Sequence, residues 1–406
     1  MSPRILLPVA VLVCCLAGTA TAAPSGAGGL HRKLAGTFDT PGVVSTASTA
    51  MVVELPTGRV VFARNAGLSL EPASNEKLSV TYAALLELGP SYRYPTELVG
   101  EGKRVGSTWV GRLVLKGFGD PALTTSDLKH LAKIVWRLGI RRITGGIVGD
   151  ASFFDRETTA TGWLPSYAGI ESPPMSALIV DRAARNGRLV VDPALAAAAE
   201  LDRLLHARGV AARGASTGRA WPRARPLATI YSEPLSEILQ FMDHYSDNFT
   251  AEMVLKAIGA KSAGYGTTAG GATVVRRDLD AAGVPLAGVR IADGSGLSRD
   301  DRVTARELAS ILVLIWNNPV MRPVVWDALP IAGESGTLEN RLVDNPGHAL
   351  VRAKTGTTDI ASALSGYVGT RYAFVAIENG DPVDYWAAHA AEDGVAEALI
   401  DQIAPG

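Results

Sequence analysis

Cysteine is nearly missing from this chain. The only two, Cys14 and Cys15, stand side by side in the N-terminal apolar segment, and without it the chain carries neither a disulfide framework nor a thiol nucleophile. Neither is preceded by the small residue that a lipoprotein signal carries. Histidine is scarce as well: the six are scattered, with no His-Glu-x-x-His and no other metal-ligand spacing, which excludes a zinc hydrolase, and no cofactor is expected. Glycine pairs such as Gly270-Gly271 lack the Lys and Ser/Thr of a phosphate loop. Basic stripes and polybasic runs are absent and the formal net charge is -1, so neither nucleic acid nor an anionic membrane surface is an expected partner. The apolar run Ile5 to Leu16 follows Arg4 and ends before the small-x-small sequence Ala20-Thr21-Ala22. It is short for a membrane span and reads as an export signal over residues 1–22, with the mature chain starting at Ala23 and no firm membrane anchor, an uncleaved anchor being the alternative.

What is present is a globular composition, 47% hydrophobic and 19% charged, over a length that allows two domains. The chain is organised around Glu71-Pro72-Ala73-Ser74-Asn75-Glu76-Lys77, which runs into a stretch, Ser79 to Leu88, that is apolar nearly all round. That pattern predicts a helix buried in a large core. Pro72 suits a first helical turn, which places Ser74 among the free N–H groups of the helix start. Lys77 lies one turn further on the same face, within reach of the Ser74 hydroxyl. As a pair they read as a nucleophile and its base, provided that burial and a second cation lower the lysine's pKa from about 10.4. Ser-x-x-Lys on its own is equally a helix cap followed by a solvated lysine.

Along the chain, residues 23–48 are rich in Gly, Ala, Ser and Thr and read as a linker. Two β-branched runs around Pro56-Thr57-Gly58-Arg59 predict a hairpin. Residues 95–228 read as an inserted unit: a strand at Arg112 to Lys116, a helix from Ser126 to Leu138, a strand pair within Ile140 to Val148, and an Ala-rich helix capped by Asp192 and Pro193. Residues 49–94 and 229–406 then form one discontinuous main domain. In it, helices flank Tyr245-Ser246-Asp247-Asn248, Gly264 to Gly271 is a flexible turn, and the chain closes with Leu350 to Lys354-Thr355-Gly356-Thr357, a hairpin and a last helix.

Three motifs thus stand in order, Ser74-x-x-Lys77, Ser246-Asp247-Asn248 and Lys354-Thr355-Gly356. Together they are the signature of class A β-lactamases and penicillin-binding proteins. Asp293-Gly294-Ser295-Gly296-Leu297-Ser298, Gly336-Thr337-Leu338 with Arg341, Leu364-Ser365-Gly366-Tyr367-Val368 and Leu115-Lys116-Gly117-Phe118-Gly119-Asp120-Pro121 narrow the match. The chain resembles the class C low-molecular-mass penicillin-binding proteins, the D-Ala-D-Ala carboxypeptidase/endopeptidase family, over nearly all of its mature length. The interval between Ser74 and Ser246 is shorter than in the larger members, which carry two nested insertions.

The resemblance implies an α+β fold with a five-stranded antiparallel sheet between helices, plus an inserted smaller domain. It implies Ser74 as nucleophile and Lys77 as its base, acting on peptidoglycan stem peptides that end in D-Ala-D-Ala. Ser246 would relay a proton, Asn248 would hold the substrate backbone, and Lys354 with the hydroxyls of Thr355 and Thr357 would address the terminal carboxylate. Backbone N–H groups of Ser74 and Thr357 would form the oxyanion hole. Gly356 would let substrate lie close along its strand. Taken alone, Ser246 and Asn248 could instead cap the following helix. Asp293-Gly294-Ser295-Gly296 is expected to be a structural turn outside the site. The implied protein is an exported, cell-envelope carboxypeptidase with β-lactams as covalent inhibitors. The alternatives are a β-lactamase or a non-enzymatic wall-binding protein on the same scaffold.

Overall fold

The computed structural model describes residues 27–185 and 188–403, so the export signal read over residues 1–22 lies outside the described residues. In chain order the elements are α1 (Ala27–Thr37), β1 (Ser48–Glu54), β2 (Arg59–Arg64), α2 (Lys77–Glu87), β3 (Pro95–Val105), β4 (Thr108–Gly117), α3 (Thr125–Arg137), β5 (Arg142–Ile143), β6 (Ile147–Asp150), β7 (Ala184–Arg185), β8 (Arg188–Leu189), α4 (Pro193–His206), β9 (Ala215–Thr217) and β10 (Arg225–Tyr231). Beyond these lie α5 (Leu235–His244), α6 (Asn248–Ile258), α7 (Thr268–Ala281), α8 (Ala305–Asn317), α9 (Met321–Ala328), β11 (Val351–Thr357), β12 (Ala361–Val368), β13 (Tyr372–Asn379) and α10 (Tyr385–Ile400).

The main sheet is the expected one: five strands in the order β11-β12-β13-β1-β2, antiparallel at every pairing. Alternate side chains of a strand point to opposite faces. Met51, Val53, Ala373, Val375 and Ile377 therefore join one core with α2, α5, α6, α7, α8 and α9, while Ala50, Val52, Phe374 and Ala376 join another with α1 and α10. Helices on both faces explain why β12 is buried at every position and β13 at all but its last. Helix α2 lies inside the first core, buried from Lys77 through Leu85. A second sheet, β10-β3-β4-β6-β9 with β5 alongside β4, carries α3 and α4 on one face through Leu98, Leu113, Leu128, Leu131, Leu201 and Leu205. Thr124 and Asp127 start α3 with a capping box, and the Asp192 carboxylate caps α4. The segment after β6 leaves this sheet: Phe154, Ala160, Met175, Ile179 and Ala183 bury themselves in the first core.

Several local expectations are corrected. The linker over 23–48 contains α1, because Leu30, Leu34 and Phe38, four residues apart, form an apolar stripe that packs against the sheet face under α10. Ile140 to Val148 does hold two strands, but they pair with β4 and not with each other. Gly264 to Gly271 is a turn only in its first half, since the Thr267 side chain caps α7 and draws Gly270 and Gly271 into the helix.

Candidate active site

Ser74 lies in a tight helical turn, Ala73–Glu76, that leads directly into α2. The turn is unusual at its first residue, where Ala73 takes a φ of 45°, a conformation that L residues rarely adopt. Two glycines make room for it. A Cβ on Gly356 would fall 2.9 Å from the Pro72 carbonyl oxygen and 3.0 Å from the Ala73 Cβ, and a Cβ on Gly296 would fall 1.8 Å from the Ala73 carbonyl oxygen. Gly356 is thus needed so that the Ser74 turn can lie against β11, a structural reason for its bare backbone that stands beside the expected approach of substrate. Asn75 completes the join by donating its amide N–H to the Lys354 carbonyl oxygen at 3.3 Å.

Lys77, the first residue of α2, is fully buried. Its Nζ donates to the Ser74 Oγ at 2.8 Å, the Asn248 Oδ1 at 2.8 Å and the Ser295 carbonyl oxygen at 2.7 Å. Burial lowers its pKa to about 8, against an opposing pull from Asp293, Asp247, Asp243 and Glu252. Lys354 is likewise held well below the ordinary lysine range, by burial first and the charge of Lys77 second, so the two amines oppose each other's protonation. Both lysines act on the charge of the buried Asp243, which accepts from the Thr81 hydroxyl at 2.8 Å. Burial raises its carboxyl to about 6 against the pull of Lys354 and Lys77.

The polar junction between α5 and α6 faces this pair. Ser246, at a φ of 57°, accepts a hydrogen bond from the Lys354 Nζ at 2.8 Å. The helix-capping role open to Ser246 and Asn248 falls to Asp247, whose carboxylate accepts from the Thr250 N–H at 2.8 Å. That leaves both flanking side chains free for Lys354 and Lys77. The other Lys354 bond goes to the Thr355 carbonyl oxygen at 2.8 Å. Thr355 Oγ1 donates to Thr337 Oγ1 at 2.7 Å, and Thr357 stands exposed near the end of β11.

The structure therefore brings Ser74, Lys77, Ser246, Asn248, Lys354, Thr355, Gly356 and Thr357 together where the edge strand β11 meets the helical layer. It also adds a residue that sequence reasoning set aside. Asp293 to Ser298 is a turn, but its Ser295 carbonyl is a direct partner of Lys77. The turn is braced to point that carbonyl inward: Glu252 accepts from the N–H groups of Gly294 and Ser295, each at 2.9 Å, and Asp293 accepts from Gly296 N at 2.7 Å and Trp163 Nε1 at 2.6 Å. A backbone carbonyl leaves no letter in a sequence, which is why this contact was missed. One Gly-x-Ser-x-Gly string, Gly214 to Gly218, lies on the edge strand β9 with Ser216 exposed, not on the strand-to-helix turn that such a nucleophile needs. Among the described residues no group of His, Cys, Asp and Glu is placed to hold a metal ion.

A helix-borne Ser/Lys pair set against the edge of a five-stranded antiparallel sheet, with a serine-bearing junction opposite, defines the penicillin-recognising serine enzymes. Within that class the chain belongs to the D-Ala-D-Ala carboxypeptidase 3 (S13) family, whose model matches residues 30–189 and 183–402. It is 30% identical to a D-alanyl-D-alanine carboxypeptidase of Actinomadura sp. (strain R39), over 86% of this chain and 81% of that one. A carboxypeptidase of Mycobacterium tuberculosis is 32% identical over 89% of this chain and 82% of its own. In fold it is similar to penicillin binding protein 4 from Haemophilus influenzae, with a TM-score of 0.80 at 23% identity, over 93% of this chain and 99% of that one.

Proposed function

We propose that this chain is a serine-type D-Ala-D-Ala carboxypeptidase of peptidoglycan stem peptides, also competent as a D,D-endopeptidase, working through an acyl-enzyme on Ser74. The observation that carries the reading is the Lys77 Nζ, buried and 2.8 Å from the Ser74 Oγ, with a pKa brought down to about 8. As the neutral amine, Lys77 takes the Ser74 proton while Oγ attacks the carbonyl carbon of the penultimate D-Ala. Negative charge builds on the carbonyl oxygen, and the N–H groups of Ser74 and Thr357 receive it. Ser246 passes a proton to the leaving amine of the terminal D-Ala, Asn248 holds the peptide backbone, and Lys354, Thr355 and Thr357 address the carboxylate. Water then releases the shortened peptide from Ser74. Among the described residues the Ser74 Oγ has Lys77 Nζ as its side-chain partner and no carboxylate bonded to it, which favours a lasting penicilloyl adduct over β-lactamase turnover. The catalytic unit in this reading is 49–94 with 229–406, and 95–228 is its insertion.

Lys354→Ala tests the substrate assignment. A charge-assisted hydrogen bond to the terminal carboxylate is worth on the order of 1.5 to 3 kcal/mol, or roughly ten- to a hundredfold in kcat/KM. Cleavage of a D-Ala-D-Ala peptide is therefore expected to slow by that factor more than cleavage of its C-terminal amide. Equal slowing of acid and amide would mean that Lys354 acts only on Ser246, its bonded neighbour at 2.8 Å, and the carboxylate role would be withdrawn. Mass analysis of digested muropeptides, for loss of one alanine or cleavage of dimers, apportions the two activities.

A peptidoglycan substrate also requires export, supported by the Arg4, Ile5 to Leu16 and Ala20-Thr21-Ala22 pattern. N-terminal sequencing of secreted material is expected to begin at Ala23. A start that retains Cys14 and Cys15 would overturn the soluble, cysteine-free mature form.

A further inference from the structure

Asp181, Arg182 and Ala183 have φ values of 49°, 55° and 58°, three successive non-glycine residues in the left-handed region. Such residues persist only where their surroundings over-determine them, and they gather at functional sites. Here the surroundings pull in two directions. The Asp181 carboxylate accepts from the N–H of Thr125 at 3.0 Å and from its hydroxyl, at the start of α3. Ala183 is buried in the helical core, and its carbonyl accepts from Val190 N at 2.9 Å. Between these anchors Arg182 extends to the polar junction before α6. Its Nη1 donates to Asp247 Oδ1 at 3.1 Å and its Nη2 to Asp247 Oδ2 at 2.7 Å, and its guanidinium carbon stands 4.7 Å from the centre of the Phe249 ring.

Asp247 is the middle residue of its motif, and its neighbours carry the polar contacts. Ser246 on one side holds the Lys354 Nζ, and Asn248 on the other gives Oδ1 to Lys77 and donates its Nδ2 to the Glu171 carbonyl at 3.2 Å. Ser246 also sits in the left-handed region, so the turn is held by what surrounds it and not by its own preference. A carboxylate gripped at both oxygens by a planar fork, and at one of them by Thr250 N, can neither rotate nor shift along α6.

We propose that Arg182 is a positioning residue for acylation: acting through Asp247, it fixes the Ser246 turn and the direction of the Asn248 amide, and the strained turn 181–183 serves to deliver it. The proposal rests on Ser74 being the acylated residue. Acylation by a fluorescent penicillin, resolved into the pre-acylation dissociation constant and the rate constant of bond formation, tests it in the full mature chain. Arg182→Ala is expected to lower the rate constant ten- to thirtyfold, to change the dissociation constant less than threefold, and to leave the thermal midpoint within a few degrees. Arg182→Lys keeps a charge but not the fork, and is expected to recover only part of the loss. The double variant with Asp247→Asn is expected to be no slower than the slower single variant, because both break one unit.

Wild-type rate constants in Arg182→Ala, losses that track only the folded fraction, or losses that multiply in the double variant would each overturn the proposal. Should Arg182→Ala not fold, the same comparison is made with Arg182→Lys, where full activity overturns it and a lowered rate constant with unchanged dissociation constant supports it. Labelling that survives Ser74→Ala would instead bring down the underlying reaction, and so separates the two failures.

Discussion

Ser74→Ala is expected to abolish covalent labelling by penicillin while leaving the thermal transition nearly unchanged, and Lys77→Arg is expected to stop acylation almost as completely. The serine result rests on the Oγ bonded to Lys77 being the only nucleophile that the proposed reaction uses. The lysine result rests on charge. An arginine stays protonated and cannot serve as base, whereas Lys77 with a pKa of about 8 is neutral in roughly one molecule in ten at pH 7. At the unperturbed value of about 10.4 that share would be about four in ten thousand, so burial raises the supply of free base by more than two orders of magnitude. The sign of the pH dependence is fixed by the same fact. Deprotonated Lys77 is the active form, so the acylation rate at subsaturating penicillin should climb about tenfold per unit below pH 8 and level off above it. A rate that is flat from pH 6 to 9, or an adduct on the Ser74→Ala chain, would remove Lys77 or Ser74 from these roles.

Gly296→Ala should be nearly as damaging without touching a reacting atom. Its Cβ would fall 1.8 Å from the Ala73 carbonyl oxygen and 3.2 Å from the Glu76 Cβ, and its φ of +80° is unfavourable for alanine whatever the space. The Ser74 turn cannot retreat, because Gly356 and β11 close the other side. Either the 293–298 turn moves and takes the Ser295 carbonyl away from Lys77, or Ala73 moves and takes Ser74 with it. Overpacking of this kind costs about 1 to 3 kcal/mol, and the backbone strain about 1 to 2 more. A lower thermal midpoint together with a loss of acylation of at least about a hundredfold is the expected pair, since a shift near 1 Å at a reacting centre costs that much. Acylation at close to the unaltered rate would mean that the turn beneath Ser74 is softer than its packing indicates.

The residues legible in the sequence were those whose spacing already brings them together. Ser74 and Lys77 are one turn apart on a helix whose apolar sequence announces its burial, and Lys354 to Thr357 declare a strand because a β-branched and aromatic hairpin comes directly after them. What the sequence hid depends on long-range approach or on backbone. Arg182 reaches Asp247 across 65 positions, and Ser295 takes part through a carbonyl that any residue would possess. Helix α1 escaped notice because its two large apolar residues, Leu30 and Leu34, are set among glycine, alanine and basic residues. Strand β3 did so because Gly100, Gly102 and the charges around them dilute its alternation.

The three partners of the Lys77 Nζ fit both forms of the amine without any of them moving. As a neutral group it donates two N–H bonds, to Asn248 and Ser295, and turns its lone pair to the Ser74 hydroxyl; as an ammonium it donates all three. The Asn248 amide is held the right way round for this, because its Nδ2 is engaged by the Glu171 carbonyl and only its oxygen faces the lysine. In the proposed reaction the proton therefore travels along a bond that exists before it moves. No dipole has to turn to receive it, so the reorganisation that slows the same transfer in water is already complete when the chain has folded.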